Sequence, residues 1–201
     1  IRDRSSGAIT GIAPEARLYM QATEVYTDWT TAAENNFGYT DDYTLMGIPD
    51  DLSTMFDDAA SNGSHIHTNS WGAPVAGQYN TNAMQADHSA RNHSGMLILF
   101  AAGNSGVDSN SNGVIDDDSI GSPATSKNVL TVGASENDRG SQISSEWGPW
   151  FGYPTDPINS DKIANNTEGM AAFSSRGPVD DGRLKPDISA PGTFILSTKS
   201  R

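Results

Sequence analysis

An asparagine lies between two glycines in Ala101-Ala102-Gly103-Asn104-Ser105-Gly106, directly after the apolar run Met96–Ala102. Glycine lets a backbone turn sharply and approach a ligand closely. An asparagine amide held there offers two N–H donors to an oxygen. Taken alone, the tetrad reads first as an asparagine using its tolerance of left-handed φ in a tight turn. Just beyond, the loop Asp108–Ser119 places Asp108, Asn110 and Asn112 at alternate positions, then Gly113, Val114, Ile115 and Asp116. Oxygen-bearing side chains at that spacing converge on one hard cation, the glycine makes the turn, and a backbone carbonyl completes the set. The spacing predicts one structural Ca²⁺ held by Asp108, Asn110, Asn112, the Val114 carbonyl and Asp116. Ser119 stands where such loops carry a bidentate Glu, so Asp117 or Asp118 would substitute. A solvated acidic loop is the alternative. His65 and His67 alternate on one strand face, but no third ligand is near in sequence. They are expected to be packed, hydrogen-bonded histidines.

Composition narrows the partners. Asp and Glu number 25 against 12 Lys and Arg, a formal net charge of −13. A surface so acidic repels nucleic acid and anionic membranes. No apolar run approaches the ~18 residues of a membrane-spanning helix. The chain has no cysteine, which removes disulfides, thiolate nucleophiles and zinc–thiolate sites. Its 201 residues, with 20 Gly and 10 Pro, suit one loop-rich domain.

The elements that position these loops follow from periodicity. Residues 1–16 read as a loop anchored by Ile9 and Ile12, and 17–22 as a short strand. Residues 23–49 form a polar excursion with a short helix near 31–35. Leu52, Met55, Phe56, Ala59 and Ala60 recur at helical spacing over 50–62, capped by Asp50 or Asp51 and stopped by Gly63. Residues 64–70 predict a strand. Residues 81–93 predict a second helix with a close-packing stripe of Ala83, Ala86 and Ala90. The runs 96–102 and 129–134 read as strands buried on both faces. The aromatic residues Trp147, Trp150, Phe151 and Tyr153 suggest a satellite core under a long loop. A last ordered segment runs from 171 to about 198. Helix, buried strand, helix, buried strand is the grammar of a parallel α/β sheet with crossover helices. In such sheets ligands gather in loops at the carboxyl ends of strands. Here those loops follow Ser70, Ala102 and Ala134.

Several segments, in order, resemble the subtilisin-like serine proteases, or subtilases. They are Gly11-Ile12-Ala13-Pro14, Thr68-Asn69-Ser70-Trp71-Gly72 and Leu99-Phe100-Ala101-Ala102-Gly103-Asn104. Val132-Gly133-Ala134, Phe173-Ser174-Ser175-Arg176-Gly177-Pro178 and Lys185-Pro186-Asp187-Ile188-Ser189-Ala190-Pro191-Gly192-Thr193 follow. The Asn-Ser-Trp-Gly and Ser-Ser-Arg-Gly variants look most like the alkaline, oxidation-resistant bacterial branch. The resemblance implies an incomplete subtilisin-like α/β core. It implies that Asn104 is the side-chain donor of the oxyanion hole. It also implies that an extended polypeptide substrate lies beside Ser70, Trp71 and Gly72. Ala101, Ala102 and Gly103 would then wall the pocket for the residue before the scissile bond, with Gly121 as its floor and large apolar or aromatic side chains preferred. It further suggests a cis peptide at Ser122-Pro123.

The family's Asp-Thr/Ser-Gly, His-Gly-Thr and Gly-Thr-Ser-Met-Ala segments do not occur in this sequence. The expectation is therefore that residues 1–201 form the central part of one catalytic domain, lacking all three triad residues and inactive alone. Its parent would be a secreted, extracellular serine endopeptidase. The remaining segments of that protease, or another copy of the chain, would cover faces left open. The rival reading is a catalytically dead, subtilase-like peptide-binding or structural module. Asn104 favours the enzyme, because a pure binder has no use for an oxyanion donor. A calcium-stabilised adhesion-type domain would rest on the acidic loop alone.

Overall fold

Parallel strands need connections long enough to return the chain to the same end of the sheet. The chain supplies them between four strands, β5 (Ile66–Asn69), β6 (Leu97–Ala101), β7 (Leu130–Ser135) and β8 (Ile188–Pro191). The structure, a computed structural model, describes residues 2–4 and 8–195, with backbone alone up to residue 10. The four strands pair in sequence order, all parallel. This is the expected α/β architecture. Only the β5–β6 connection is built on a long helix, α3 (Thr81–Asn92). The β6–β7 connection is irregular, and the β7–β8 connection holds just the short helix α4 (Trp147–Phe151).

Helix α2 (Ser53–Ser61) and α3 pack on one face of the sheet. Phe56, Ala59 and Ala86 meet Ile98 and Phe100 there, all at most 1% exposed. The helical spacing read from the sequence is thus realised, and the Ala83 and Ala86 stripe is buried. The expected cap is displaced by one position. Leu52 is the N-cap of α2 and makes no side-chain cap bond. The Asp51 carboxylate instead accepts from Ser53 N at 3.0 Å. In α3 the Asn80 side chain caps conventionally, accepting from Ala83 N.

The second sheet face corrects the expectation that 96–102 and 129–134 are covered on both sides. Register places Ile66 beside Leu97, Leu99 beside Leu130, and Val132 beside Ile188. Ile66, Leu97 and Ile188 are 65%, 46% and 48% exposed. Continuous apolar sequence marks strands meant to be covered on both faces, but α2 and α3 cover only one.

The N-terminal quarter differs more. Strands β1 (Arg2–Arg4) and β2 (Ala8–Thr10) pair antiparallel where a loop was expected. Ile12 is 84% exposed and anchors nothing, while the Ile9 side chain lies outside the described residues. Residues 17–22 form no strand. Gln21 instead spends its amide on Met55 O and Asp58, and Tyr19 OH donates to Asp58. The excursion forms a hairpin of β3 (Val25–Thr27) and β4 (Asp42–Thr44) around α1 (Thr31–Phe37). The expected end near Thr198 lies outside the described residues.

Lys185 and Asp187 explain why their motif closes the sheet. Lys185 is 7% exposed, and its Nζ donates to Val129 O at 3.1 Å and to the Asp187 carboxylate at 2.6 Å. That carboxylate also accepts from Thr131 N at 2.7 Å. The pair therefore fastens the entry of β8 to the entry of β7. Lys185 is buried while Asp187 is exposed, so removing the carboxylate strands a buried ammonium. Asp187→Ala in the intact protein should cost about 3 kcal/mol, and Lys185→Met less, since it leaves no buried cation. Melting temperatures of the two variants check this order.

Candidate active site

Asn104 stands just past the carboxyl end of β6, on a backbone gripped from both sides. Ser175 N donates to Gly103 O at 3.0 Å. Ser175 Oγ accepts from Ser105 N at 3.0 Å. Gly106 N donates to Phe173 O at 2.9 Å. Gly103 adopts φ +113°, and a Cβ there would lie 2.8 Å from Ser175 Oγ. Position 103 therefore demands glycine on both conformational and steric grounds. The grip leaves Asn104 itself exposed. The Phe173-Ser174-Ser175 segment was visible as a motif, but its service to Asn104 emerges only from the fold.

The other proposed substrate contacts gather beside this loop. Ala73 and Ser122 exchange two backbone bonds, of 2.9 and 3.0 Å. Gly121 N donates to Ala102 O at 2.9 Å. A Cβ at Gly72 would lie 2.8 Å from Ser122 O, so this approach also requires glycine. The Ser122–Pro123 bond is cis. Segments 70–73, 101–104 and 121–123 thus form one cluster. Ser70, Gly72 and Ala101 are exposed within it, whereas Gly121 is buried. The Trp71 ring turns away and packs edge-on against Phe100, centroids 5.2 Å apart. The Ala102 methyl joins the core under α2 and α3. The Ala102 side chain is therefore closed to a peptide, which could meet this residue only through its backbone.

The acidic loop is closed on itself. Asp108, 8% exposed, accepts from Asn112 N and Gly113 N, each at 2.9 Å. Asn112 Oδ1 accepts from Val114 N at 2.8 Å. Asp116 accepts from the Ser109 hydroxyl and N–H, and the Asn110 amide nitrogen reaches it at 3.4 Å. The Ser109 hydroxyl and then its N–H hold the Asp116 carboxyl below the usual carboxylate range. Among the described residues, no group of three or more His, Asp or Glu is gathered for a metal. The calcium set contains only two carboxylates, so it would depend on amide and carbonyl oxygens.

His67 is held as expected of a packed histidine. Its Nε2 faces Gln21 Oε1 at 2.9 Å, its Nδ1 faces the Asn69 amide nitrogen at 3.0 Å, and its ring meets Phe56 edge-on. Burial pushes its pKa down. His65 faces Gly95 O at 3.3 Å.

The aromatic segment divides. Trp147 is fully buried and Tyr153 nearly so, in a second core with Ile115, Ile163, Ala171 and Ala172. Trp150 and Phe151 remain 61% and 49% exposed. Tyr153 OH donates to Gly106 O at 2.8 Å, tying this second core to the Asn104 loop. Behind it lies a residue that sequence patterning did not mark. Glu136, 3% exposed, accepts from Trp147 Nε1 at 3.0 Å and from Asn165 N and Asn166 N at 3.3 and 3.2 Å. One acid in a polar stretch has no periodicity to reveal it.

The model of the Subtilase family matches residues 2–200, and the chain belongs to that family. Serine protease AprX of Bacillus subtilis (strain 168) is 34% identical over 106 residues, covering 53% of this chain and 17% of that protein. Pyrolysin of Pyrococcus furiosus is 30% identical over 146 residues, covering 70% of this chain and 9% of that protein. Serine protease/ABC transporter B family protein tagD of Dictyostelium discoideum is 28% identical over 203 residues, covering 76% and 11%. The chain therefore spans a small part of each relative's length.

Burial raises the Glu136 pKa, although its hydrogen bonds act the other way. The folded chain thus favours the protonated form. That contribution to stability is full below the ordinary glutamate range and is lost as pH rises through the raised value. Glu136→Ala would flatten this part of the pH profile. It would also orphan three donors, at a net cost of about 3 kcal/mol. Melting curves from pH 4 to 8, with the near-ultraviolet signal of Trp147 as probe, test both outcomes.

Proposed function

We propose that this chain is the central part of the catalytic domain of a subtilisin-like serine endopeptidase, secreted to the cell exterior. Other segments of the same protein would supply the catalytic Asp, His and Ser. The observation that carries the reading is Asn104, an exposed amide on a backbone clamped by Ser175, beside the cluster formed by Gly72, Ala102 and Gly121. A polypeptide substrate would lie as an added strand against residues 70–72, pairing through main-chain groups. Its scissile carbonyl oxygen would point to the Asn104 amide. Serine attack on the carbonyl carbon places negative charge on that oxygen, where a fixed donor stabilises the transition state more than the ground state. Collapse breaks the peptide C–N bond and leaves a serine ester, which water hydrolyses. Ala101, Ala102 and Gly103 would wall the pocket before the scissile bond and Gly121 would floor it, suiting it to large apolar or aromatic side chains.

Residues 1–201 alone contain no matching nucleophile motif and would hydrolyse nothing. The open sheet face with Ile66, Leu97 and Ile188 supports further partners, either other segments of the protease or a second copy of the chain. The net charge of −13 argues against nucleic-acid and membrane-surface partners. No helix among the described residues is long and apolar enough to cross a membrane.

In the full-length enzyme, Asn104→Ala should lower kcat about 10²–10³-fold with little change in KM. That magnitude is the one established for subtilisin's own oxyanion asparagine rather than one obtained from this geometry. Peptide-ester kinetics on wild type and variant, with residues 1–201 as the inactive control, test it. Equal kcat in the variant, or turnover by the control, would overturn the assignment.

The loop 108–116 would hold one Ca²⁺ through Asp108, Asn110, Asn112, the Val114 carbonyl and Asp116. The convergence of Asp108 on Asn112 N and Gly113 N supports this reading, since it curls the loop around one side. The ion would pin the segment joining Asn104 to Gly121. Chelation should lower the melting temperature of the full-length enzyme. Asp108→Ala should remove much of that response, which differential scanning calorimetry with and without chelator measures.

A further inference from the structure

A hydrogen-bond chain through Gln21, His67 and Asn69 has its direction fixed at both ends. At one end the Gln21 amide nitrogen donates to Met55 O at 2.9 Å and to the Asp58 carboxylate at 2.8 Å. Tyr19 and then Gln21 hold the Asp58 carboxyl below the usual carboxylate range, so it stays an acceptor. Gln21 Oε1 is then the atom that faces His67 Nε2, 2.9 Å away, and it accepts the ring proton. At the other end the Asn69 amide nitrogen donates to Leu99 O at 3.0 Å. The same NH₂ group lies 3.0 Å from His67 Nδ1, which accepts its second hydrogen. The network thus assigns His67 as the neutral Nε2–H tautomer, with no acceptor for a second proton. Burial acts in the same direction and pushes its pKa down. Ile98 pairs with His67 from β6, and the Phe56 ring meets it from α2. His65 shares its strand and turns to Gly95 O. Behind Gln21, Asp58 is the ionised group met along the chain, and Tyr19 OH donates to it.

Protonation of His67 sets an Nδ1–H against the Asn69 NH₂ group, donor against donor. Turning the amide over brings Oδ1 to that proton, but it also sets Oδ1 against Leu99 O, acceptor against acceptor. Asn69 is 4% exposed, so water does not replace the lost bond. Asn69 is the last residue of β5, and Ser70, Trp71 and Gly72 follow it directly. Beyond them Ala73 is fastened to Ser122. Residues 70–72 therefore run between two anchors, and the first is the Asn69 amide on Leu99 O. A line of rings makes a second link, since Trp71 packs on Phe100, Phe100 on Phe56 and Phe56 on His67. We propose that His67 is a positioning residue for peptide binding: when neutral it holds Asn69, and with it residues 70–72, in line for an added strand, and when protonated it releases them. This inference rests on the reading of residues 70–72 as the segment that pairs with substrate. It makes the affinity for extended peptides sensitive to one proton, separately from proton transfer in the chemical step.

The test uses the full-length enzyme and two methyl esters that share the residue before the scissile bond. One has a four-residue acyl part, long enough to lie along residues 70–72, and the other a single acylated residue. Their kcat/KM ratio is followed from pH 8 to pH 5 within each enzyme. Protonation of groups in the chemical step, and differences in the amount of folded protein, then cancel. In wild type the long ester should be favoured about tenfold at pH 8, with the ratio declining toward unity by pH 5. His67→Gln keeps an acceptor for the Asn69 amide but takes up no proton, so its ratio should stay high down to pH 5. His67→Phe has neither function, and its ratio should be low and independent of pH. Asn69→Asp cannot donate to Leu99 O and should hold the ratio near unity throughout. A wild-type preference that does not change with pH, an equal decline in His67→Gln, or a wild-type ratio in Asn69→Asp would overturn the positioning role alone. No preference for the long ester at pH 8 would overturn the substrate segment, and the proposal with it. Failure to hydrolyse either ester would overturn the protease reading itself.

Discussion

The end of the sheet that carries Asn104 depends on the close passage of residues 103–106 along residues 173–175. Gly103 has no side chain to block Ser175, and Ser175 closes two backbone bonds across the gap. Two elements distant in sequence are thereby held at van der Waals contact. An amide that must meet developing charge without reorganising needs such a fixed base. Flexibility here would oblige the substrate to supply the ordering entropy that the fold has already supplied.

Around that contact, long irregular connections are held by buried polar side chains rather than by helices. Asp87 on α3 accepts from Tyr79 OH and from the backbone of Lys127 and Asn128, bringing the β6–β7 connection against the helix. Burial and the Asp87 carboxylate push the Tyr79 hydroxyl up to about 12. Glu136 gathers Trp147, Asn165 and Asn166, and Lys185 with Asp187 gathers the entries of two strands. Each acid or base answers several donors or acceptors at once. That satisfies the requirement that a buried charge be paired or hydrogen-bonded. Loop-rich chains with few regular ladders meet their backbone hydrogen-bond needs in this way.

What could be read from the sequence divides along the same line. The strands containing Ile98–Phe100 and Leu130–Val132 announce themselves, because continuous apolar runs have few other uses. The helix around Phe56 does so by its spacing. Asn104 was visible through the motif Leu99–Asn104 that resembles the family's, since the tetrad alone reads as a tight turn. The anchors were not visible. Glu136 and Asp87 look like any surface acid in a chain with 25 of them, and only the fold shows which ones are enclosed. Residues 17–22 misled because their apolar side chains suggested a strand, while Gln21 and Tyr19 bind Asp58 and Met55 instead of entering a ladder. Trp71 was legible as part of a motif, but not the direction of its ring. That direction is set by the space beside Phe100.

The strands pair in the order in which they occur along the chain, and the last two are separated by residues 136–187. Closing so long a connection costs little more than closing a short one, since each doubling of length adds only about 0.6 kcal/mol. The sheet therefore tolerates insertion at this point while β6 and the Asn104 loop stay unchanged. A lineage can lengthen the exposed turns of this excursion, whereas Tyr153 and residues 173–175, which hold residues 103–106, must stay. Sequence divergence among relatives should accordingly concentrate in the exposed turns of residues 137–170, and a designer could lengthen the chain there while residues 173–175 keep their contact with residues 103–106.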